Sequence, residues 1–462
     1  MADSHAVDIE SLARQLREDM AAADSPPAPL ATGFPIVIAQ VGELTRNVDP
    51  AEYVPQHVAI GPYHRTTDSP HLARDGEKLR CLAAVMSAAT AGMTLEVYLD
   101  ELARIEARAR SCYAHTFEHL DGAEFVRMLL LDACYLLVRF ARLAARRWNA
   151  GVASGGGGGS QALAAAGGAM EAVAVVRDAL YLAENQIPFF VVDKVHRLTV
   201  PDTAESAADA IASYVRELLR RQQYSVATPA VAAPPGPGNL LHLLHLHLTP
   251  VVLSPPAVTV AGGSGKRRFG RWRTATEYHC AGVGFRPRPL GGKGGARSIL
   301  DVRLDARAGA LEIPHLNIDA ETWRLLRNLM ALEQSNPSAA GSHVTAYCVF
   351  VSQLACTPRD VELLSRRGVI AHGMGSHGEV AELFADLCKG VVFGADGNYL
   401  HATWLAMEGR FRSRPRRWAA WLMLKYFSNP WLAVGLAAAA AGLVCTVVQA
   451  VFSVLSYTPG GT

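Results

Sequence analysis

Apolar residues are distributed in three ways along the 462-residue chain. Through most of it they recur with the period of a helix. The stretch "EFVRMLLLDACYLLVRFARLAARRW" (124–148) predicts a long central helix. Val380, Leu383, Phe384, Leu387 and Cys388 fall on one face of another. Ser376 and Glu379 form a capping box at its start. Thr357-Pro358-Arg359-Asp360 predicts a third helix, with a capping hydroxyl, proline in the first turn and an acid three residues on. Gly368 should stop it. In the middle of the chain the pattern changes to strands. "SILDVRLD" and "ALEIPHLNI" are separated by "ARAG", a hairpin-length turn, and "YHCAGVGFRPR" adds a further strand. The expected class is mainly α with a small antiparallel β-sheet, an α+β fold.

The third pattern is an unbroken apolar run. From Trp431 to Tyr457 there are 27 residues without a charge. A helix there would reach roughly 40 Å, against about 30 Å of hydrocarbon in a bilayer. Its eleven Leu, Val and Phe residues favour insertion by an upper bound of about 3–7 kcal/mol. Trp431 and Tyr457 bracket the run as interfacial aromatics do. Arg410, Arg412, Arg414, Arg416, Arg417 and Lys425 precede it with no acid among them, and only "TPGGT" follows. The expectation is one C-terminal transmembrane helix over 431–457, with the bulk of the chain on the cytosolic side of a plasma membrane or endomembrane.

The expected organisation is an N-terminal extension with a short helix (1–33), a main domain (34–425), the span, and a short tail (458–462). Loops rich in Gly, Pro and Ser interrupt the main domain at 151–168 and 226–268. The opening "MADSHAVDIESLARQLREDM" carries acids and arginines and no apolar core, so it does not read as a signal peptide. Net charge is +2, without the basic excess of a nucleic-acid binder. The eight cysteines form no CxxC pair and read as reduced thiols.

Several motifs suggest chemistry. His115-Thr116-Phe117-Glu118-His119 fits H-x-x-E-H. On a helix, two histidines four apart could bind zinc while the glutamate activates a water. "HLLHLHL" brings His242, His245 and His247 together, but a metal would need a carboxylate or cysteine from elsewhere. "AGGSGKRR" lacks the first glycine and the final Ser/Thr of a phosphate loop, having Val260 and Arg267 there. The basic run Lys266, Arg267, Arg268, Arg271 and Arg273 reads as a solvated loop edge. Two stretches stand out for polarity in apolar surroundings. "YVPQHVAIGPYHR" (53–65) sets Tyr63 beyond a Gly61-Pro62 turn, and "DALYLAENQIPFFVVDKV" (178–195) sets Glu184, Asn185 and Gln186 before Ile187 and Pro188. Such polar groups need partners, as an internal network or as a ligand site.

These stretches carry a resemblance. "VPQHVAIGPYHR", "MLLLDACYLL", "LAENQIPFF", "ATEYHCAGVGF", "LEIPHLNIDAETWRLLRNLMALEQ" and "LKYFSNPW" before an apolar helix occur in the order seen in the plant family called domain of unknown function 247. The resemblance runs from about Pro35 to Tyr457, with Ala59, Ala133 and Ala183 as small departures. It implies a single-spanning plant membrane protein of unassigned biochemistry. Some grass members are similar to self-incompatibility determinants, which implies protein–protein recognition or signalling. The family brings no catalytic residues and no cofactor. Its motif positions here are Pro55, Ile60, Gly61, Pro62, Tyr63, Glu184, Asn185, Gln186, Pro188 and Phe189, structural or binding in role. The expected membrane flanks are Arg414, Arg416, Arg417, Lys425, Trp431 and Tyr457. The leading expectation is a non-enzymatic, bilayer-anchored module that binds an unidentified protein partner and no nucleic acid. The alternative is a membrane-bound zinc hydrolase built on His115, Glu118 and His119.

Overall fold

The computed structural model describes residues 36–65, 70–141, 143, 171–201, 205–229, 236–251, 273–394, 398–412 and 430–457. The N-terminal extension, the 151–168 loop, the 252–272 segment, Arg414, Arg416, Arg417, Lys425 and the tail lie outside these residues.

The central helix forms over Gly122–Phe140, where the Asp121 side chain caps it by accepting the Glu124 N–H at 2.7 Å. It is apolar nearly all round and accordingly buried nearly all round. Helices Asp75–Ala88, Leu95–Ala103, Phe189–Thr199 and Ala207–Arg221 pack around it. A second organising helix, Ala320–Ser335, is buried over most of its length. Leu240–Leu246, His343–Leu354 and the one-turn π-helical stretch Arg177–Tyr181 pack against it.

The helix starts expected from local chemistry are present. Thr357 and Asp360 form a capping box at Pro358–Arg366, and Gly368 adopts φ 72° just beyond that helix. Ser376 caps His377–Leu387. The expected hairpin also forms: β2 (Arg303–Asp305) pairs antiparallel with β3 (Ala310–Pro314). The purely antiparallel sheet does not. β1 (Gly284–Arg288) joins the other edge of β3 in parallel. β4 (Leu316–Ile318) pairs in parallel with β5 (Ile370–His372). Each parallel partner arrives through a connection long enough to reverse the chain twice, which local pattern does not reveal.

The expected transmembrane helix stays unsupported in this architecture. Among the described residues no helix is long and apolar enough to cross a membrane. A helix does run over Pro430–Tyr457, but its side chains are described without a gap only over 437–453. Trp431 and Tyr457 lie in the helix, outside the described side chains.

One polar pair sits at the heart of the N-terminal helices. Lys78 Nζ lies 2.5 Å from Asp132 Oδ1, and both side chains are fully buried. Lys78 also donates to the Ala59 carbonyl at 2.6 Å, and Asp132 Oδ2 accepts the Gly61 N–H at 2.7 Å. Removing one partner strands the other charge in a low-dielectric interior. Lys78→Met is therefore expected to cost about 3–5 kcal/mol. Lys78→Met/Asp132→Asn, which keeps an acceptor for Gly61, should cost less than the sum of the single changes by more than about 1 kcal/mol. Urea unfolding of the full-length protein in detergent checks this; additive costs would show that the two charges do not depend on each other.

Candidate functional site: the signature network and a histidine-lined cavity

All ten motif positions, from Pro55 to Phe189, are buried. The structure brings their two stretches together. Asn185 Oδ1 accepts the Ile60 N–H at 2.7 Å, and its Nδ2 donates to Val58 O and Asp178 O, both at 2.9 Å. Gln186 Nε2 donates to Ala179 O and Leu182 O, both at 3.0 Å. Its Oε1 accepts from the Leu240 and Leu241 amides at the start of Leu240–Leu246. Glu184 Oε1 accepts the Val41 N–H at 2.6 Å and pairs with Arg46. Tyr63 donates to Ile38 O at 3.1 Å, and Pro188 precedes helix Phe189–Thr199. Asp178, in the π-helical turn, accepts amides of Gln56, His57 and Val58 on one oxygen. Every motif polar side chain is thus spent on backbone or on an internal charge. The arrangement organises the fold and leaves no donor set facing a ligand.

The H-x-x-E-H stretch is not helical: residues 114–119 form bends and turns between an isolated bridge at Tyr113 and the Asp121 cap. His115 Nδ1 lies 3.0 Å from the Tyr63 hydroxyl, and the His119 ring packs edge-on to Phe117. The helical face on which a zinc pair was expected does not exist, and these three residues form no close group of ligand atoms. Of the basic run, only Arg273 is described; it pairs with Glu408 at 3.1 Å and stacks over Phe411.

The other histidine cluster fares differently. Helix Leu240–Leu246, capped by Asn239, turns His242 and His245 toward the N-terminus of helix His343–Leu354. His245 Nε2 lies 2.9 Å from Glu333 Oε1, and His343 Nδ1 lies 3.8 Å from the same oxygen. The His245 and His343 rings lie 4.3 Å apart. Glu333 also accepts Val344 N–H at 2.8 Å, and Thr345 N–H and O–H at 2.7 Å each. His247 turns away and bonds Leu243 O through Nδ1. A cavity of about 420 Å³ opens beside the cluster, lined by His242, His245, His343, Ser342, Asn398 and Tyr399 among others. Sequence reading found the two histidines of the helix but not Glu333 and His343, which come from 88 and 98 positions further along the chain, counted from His245.

Burial sets the charge states. It lowers His245 to about 4. It lowers His242 to about 3, with His245 adding to the effect. It lowers His343 to about 3, again with His245 adding. Burial lifts Glu333. The imidazoles are neutral at physiological pH and keep a lone pair each. A second close group, His57, Glu77 and Glu171, differs in kind. Arg74 reaches Glu77 at 3.0 Å, and Arg139 reaches Glu77 and, at 3.2 Å, Glu171. Two guanidiniums already neutralise those carboxylates, leaving a cation little to gain.

The ordered motifs and the fold they build place the chain in a family. It belongs to the plant protein family of unknown function DUF247, whose model matches residues 38–445. It is similar to the UPF0481 protein At3g47200 of Arabidopsis thaliana, 24% identical over 437 residues, covering 91% of this chain and 86% of that one. It is also similar to the putative UPF0481 protein At3g02645 of the same plant, 33% identical over 119 residues, covering 26% of this chain and 21% of that one. No solved structure matches.

Two outcomes follow from this geometry. Gly61 has φ +73°, and a Cβ there would sit 2.4 Å from the Gln186 carbonyl oxygen. Gly61→Ala should cost about 2–4 kcal/mol, from left-handed strain and displaced backbone, measured as a fall in the urea midpoint; a loss below about 1 kcal/mol would show that the loop relaxes freely. For the histidines, the unfolded chain binds a proton near pH 6.5 that the folded chain refuses. Their stability contribution is complete above about 6.5 and is lost as pH falls toward 4. Glu333 acts in the opposite sense, its contribution falling as pH rises above its unfolded value of 4.5. Three groups against one leave acidification destabilising. His343→Gln should flatten the slope of stability between pH 6.5 and 4 by about 1.4 kcal/mol per pH unit; an unchanged slope would mean that His343 titrates normally in the folded state.

Proposed function

We propose that this protein is a bilayer-tethered recognition module, held by helix Pro430–Tyr457, whose folded body binds a protein partner. One observation carries the reading. Every described side chain of that helix is exposed, with Val448 at 46% and Phe452 at 67%, and the helix bears no charge. A helix this apolar whose described side chains all stand exposed is not stable in water, so something apolar must cover it. Hydrocarbon covers such a helix on every side at once, whereas a protein groove covers one face. The cationic stretch before it supports a cytosolic side for the bulk. Membership in a family without assigned chemistry is consistent with a role in recognition. So is the internal use of the motif's polar groups. On the body, Leu79 and Leu95 stand exposed at the rim of an apolar groove of about 540 Å³, also lined by Leu82, Leu99, Val126 and Leu130. The apolar face of a partner's amphipathic helix would fit this groove.

Alkaline carbonate extraction tests the tether. The full-length protein is expected to stay with the membrane pellet. Val447→Asp/Val451→Asp should release it, because two central charges cost about 5–7 kcal/mol and offset the whole insertion gain. Release of the unaltered protein by carbonate would overturn the reading.

A further inference from the structure

Glu333 lacks the cationic partner that several buried carboxylates of the core have. Asp132 faces Lys78, Glu184 faces Arg46, and Asp178 faces Arg177. Glu333, itself 1% exposed, has only two histidines as ionisable partners among the described residues. Its oxygens are held in place by two amides and a hydroxyl at the start of His343–Leu354. Such a carboxylate is oriented and lacks a counter-charge.

The histidines supply the rest of a ligand set. For zinc, bond lengths of about 2.0–2.2 Å and tetrahedral angles put ligand atoms roughly 3.4 Å apart. The observed 2.9 Å and 3.8 Å separations bracket that spacing, and one atom from each residue lies within 4.8 Å of the other two. The far ring nitrogens, His245 Nδ1 and His343 Nε2, have no hydrogen-bond partner among the described residues, so neither ring's tautomer is fixed against presenting its near nitrogen to a metal.

We propose that Nε2 of His245, Nδ1 of His343 and a Glu333 oxygen bind a divalent transition-metal ion, zinc by donor type, whose fourth position faces the histidine-lined cavity. Two imidazoles and a carboxylate are a zinc donor set, and hard cations such as Mg²⁺ prefer all-oxygen sites. The open fourth position admits water or a small anionic or imidazole-like ligand from the cavity. The ion would also join helix Leu240–Leu246 to Ala320–Ser335 and His343–Leu354, fixing elements far apart in sequence.

The test uses full-length protein in detergent, stripped with chelator and titrated with Zn²⁺ alone, with bound metal counted by mass spectrometry after dialysis. About one zinc per chain is expected. His343→Ala should weaken uptake more than roughly tenfold, since even loss of an outer partner of a metal ligand costs ten- to a hundredfold. His115→Ala/His119→Ala should bind as the unaltered protein does. Circular dichroism shows whether His343→Ala keeps its helices. If it does not, X-ray absorption of the zinc-loaded unaltered protein decides, and two imidazoles with an oxygen ligand are expected. No zinc uptake by the stripped protein, undiminished uptake by a folded His343→Ala, or a coordination shell without imidazole would each overturn the proposal. Carbonate extraction of His343→Ala should match the unaltered protein, so failure of this site and failure of the tether are read separately.

Discussion

Residues 55–63 pass through the core without helix or strand pairing, so their amides need partners that no secondary structure supplies. This constraint explains the polar residues of the apolar N-terminal half. Asp178 takes the amides of residues 56 to 58, Asn185 takes that of Ile60, and Asp132 takes that of Gly61. Each acceptor is then supported from behind. Asp132 is held by Lys78, which in turn binds the Ala59 carbonyl. Asn185 returns two donors to the backbone. Nothing in this chain of partners is optional, because an unmet buried polar group costs about 1–3 kcal/mol. The glycine at position 61 lets the loop approach the Gln186 carbonyl at a distance that a side chain would forbid.

What the sequence made legible was local. The Thr357 and Ser376 caps, the stop at Gly368 and the "ARAG" hairpin are each written within a few residues, and each appears in the fold. The central helix was legible from its period, though the described helix ends at Phe140 and not at Trp148. The errors concern separation along the chain. β5 meets β4 with residues 319 to 369 intervening, and no turn signal announces that pairing. H-x-x-E-H failed for the opposite reason. A short motif carried an assumption of helix, and the bridge of Tyr113 to Ile38, with the Asp121 cap after it, held the segment in turns.

Two sequence signals led to different results. At 184–186, polarity in apolar surroundings marked groups whose hydrogen bonds close on backbone and internal charge. At 242–245, histidine spacing marked part of a cluster whose remaining members lie 88 and 98 positions beyond His245. The difference is one of satisfaction. Asn185 and Gln186 use both donors and acceptors, whereas His245 and His343 keep an unmet nitrogen each. A fold gains from a closed network, and an open one is retained at a cost unless something completes it.

The same reasoning separates the body from its C-terminal helix. Inside the body several buried charges are matched: Lys78 to Asp132, Arg46 to Glu184, Arg324 to Glu52. Apolar side chains are correspondingly withdrawn into one continuous core. Helix Pro430–Tyr457 differs on both counts, with no charge to match and its described apolar side chains outward. Its described surface is therefore arranged by a different rule from the core that precedes it.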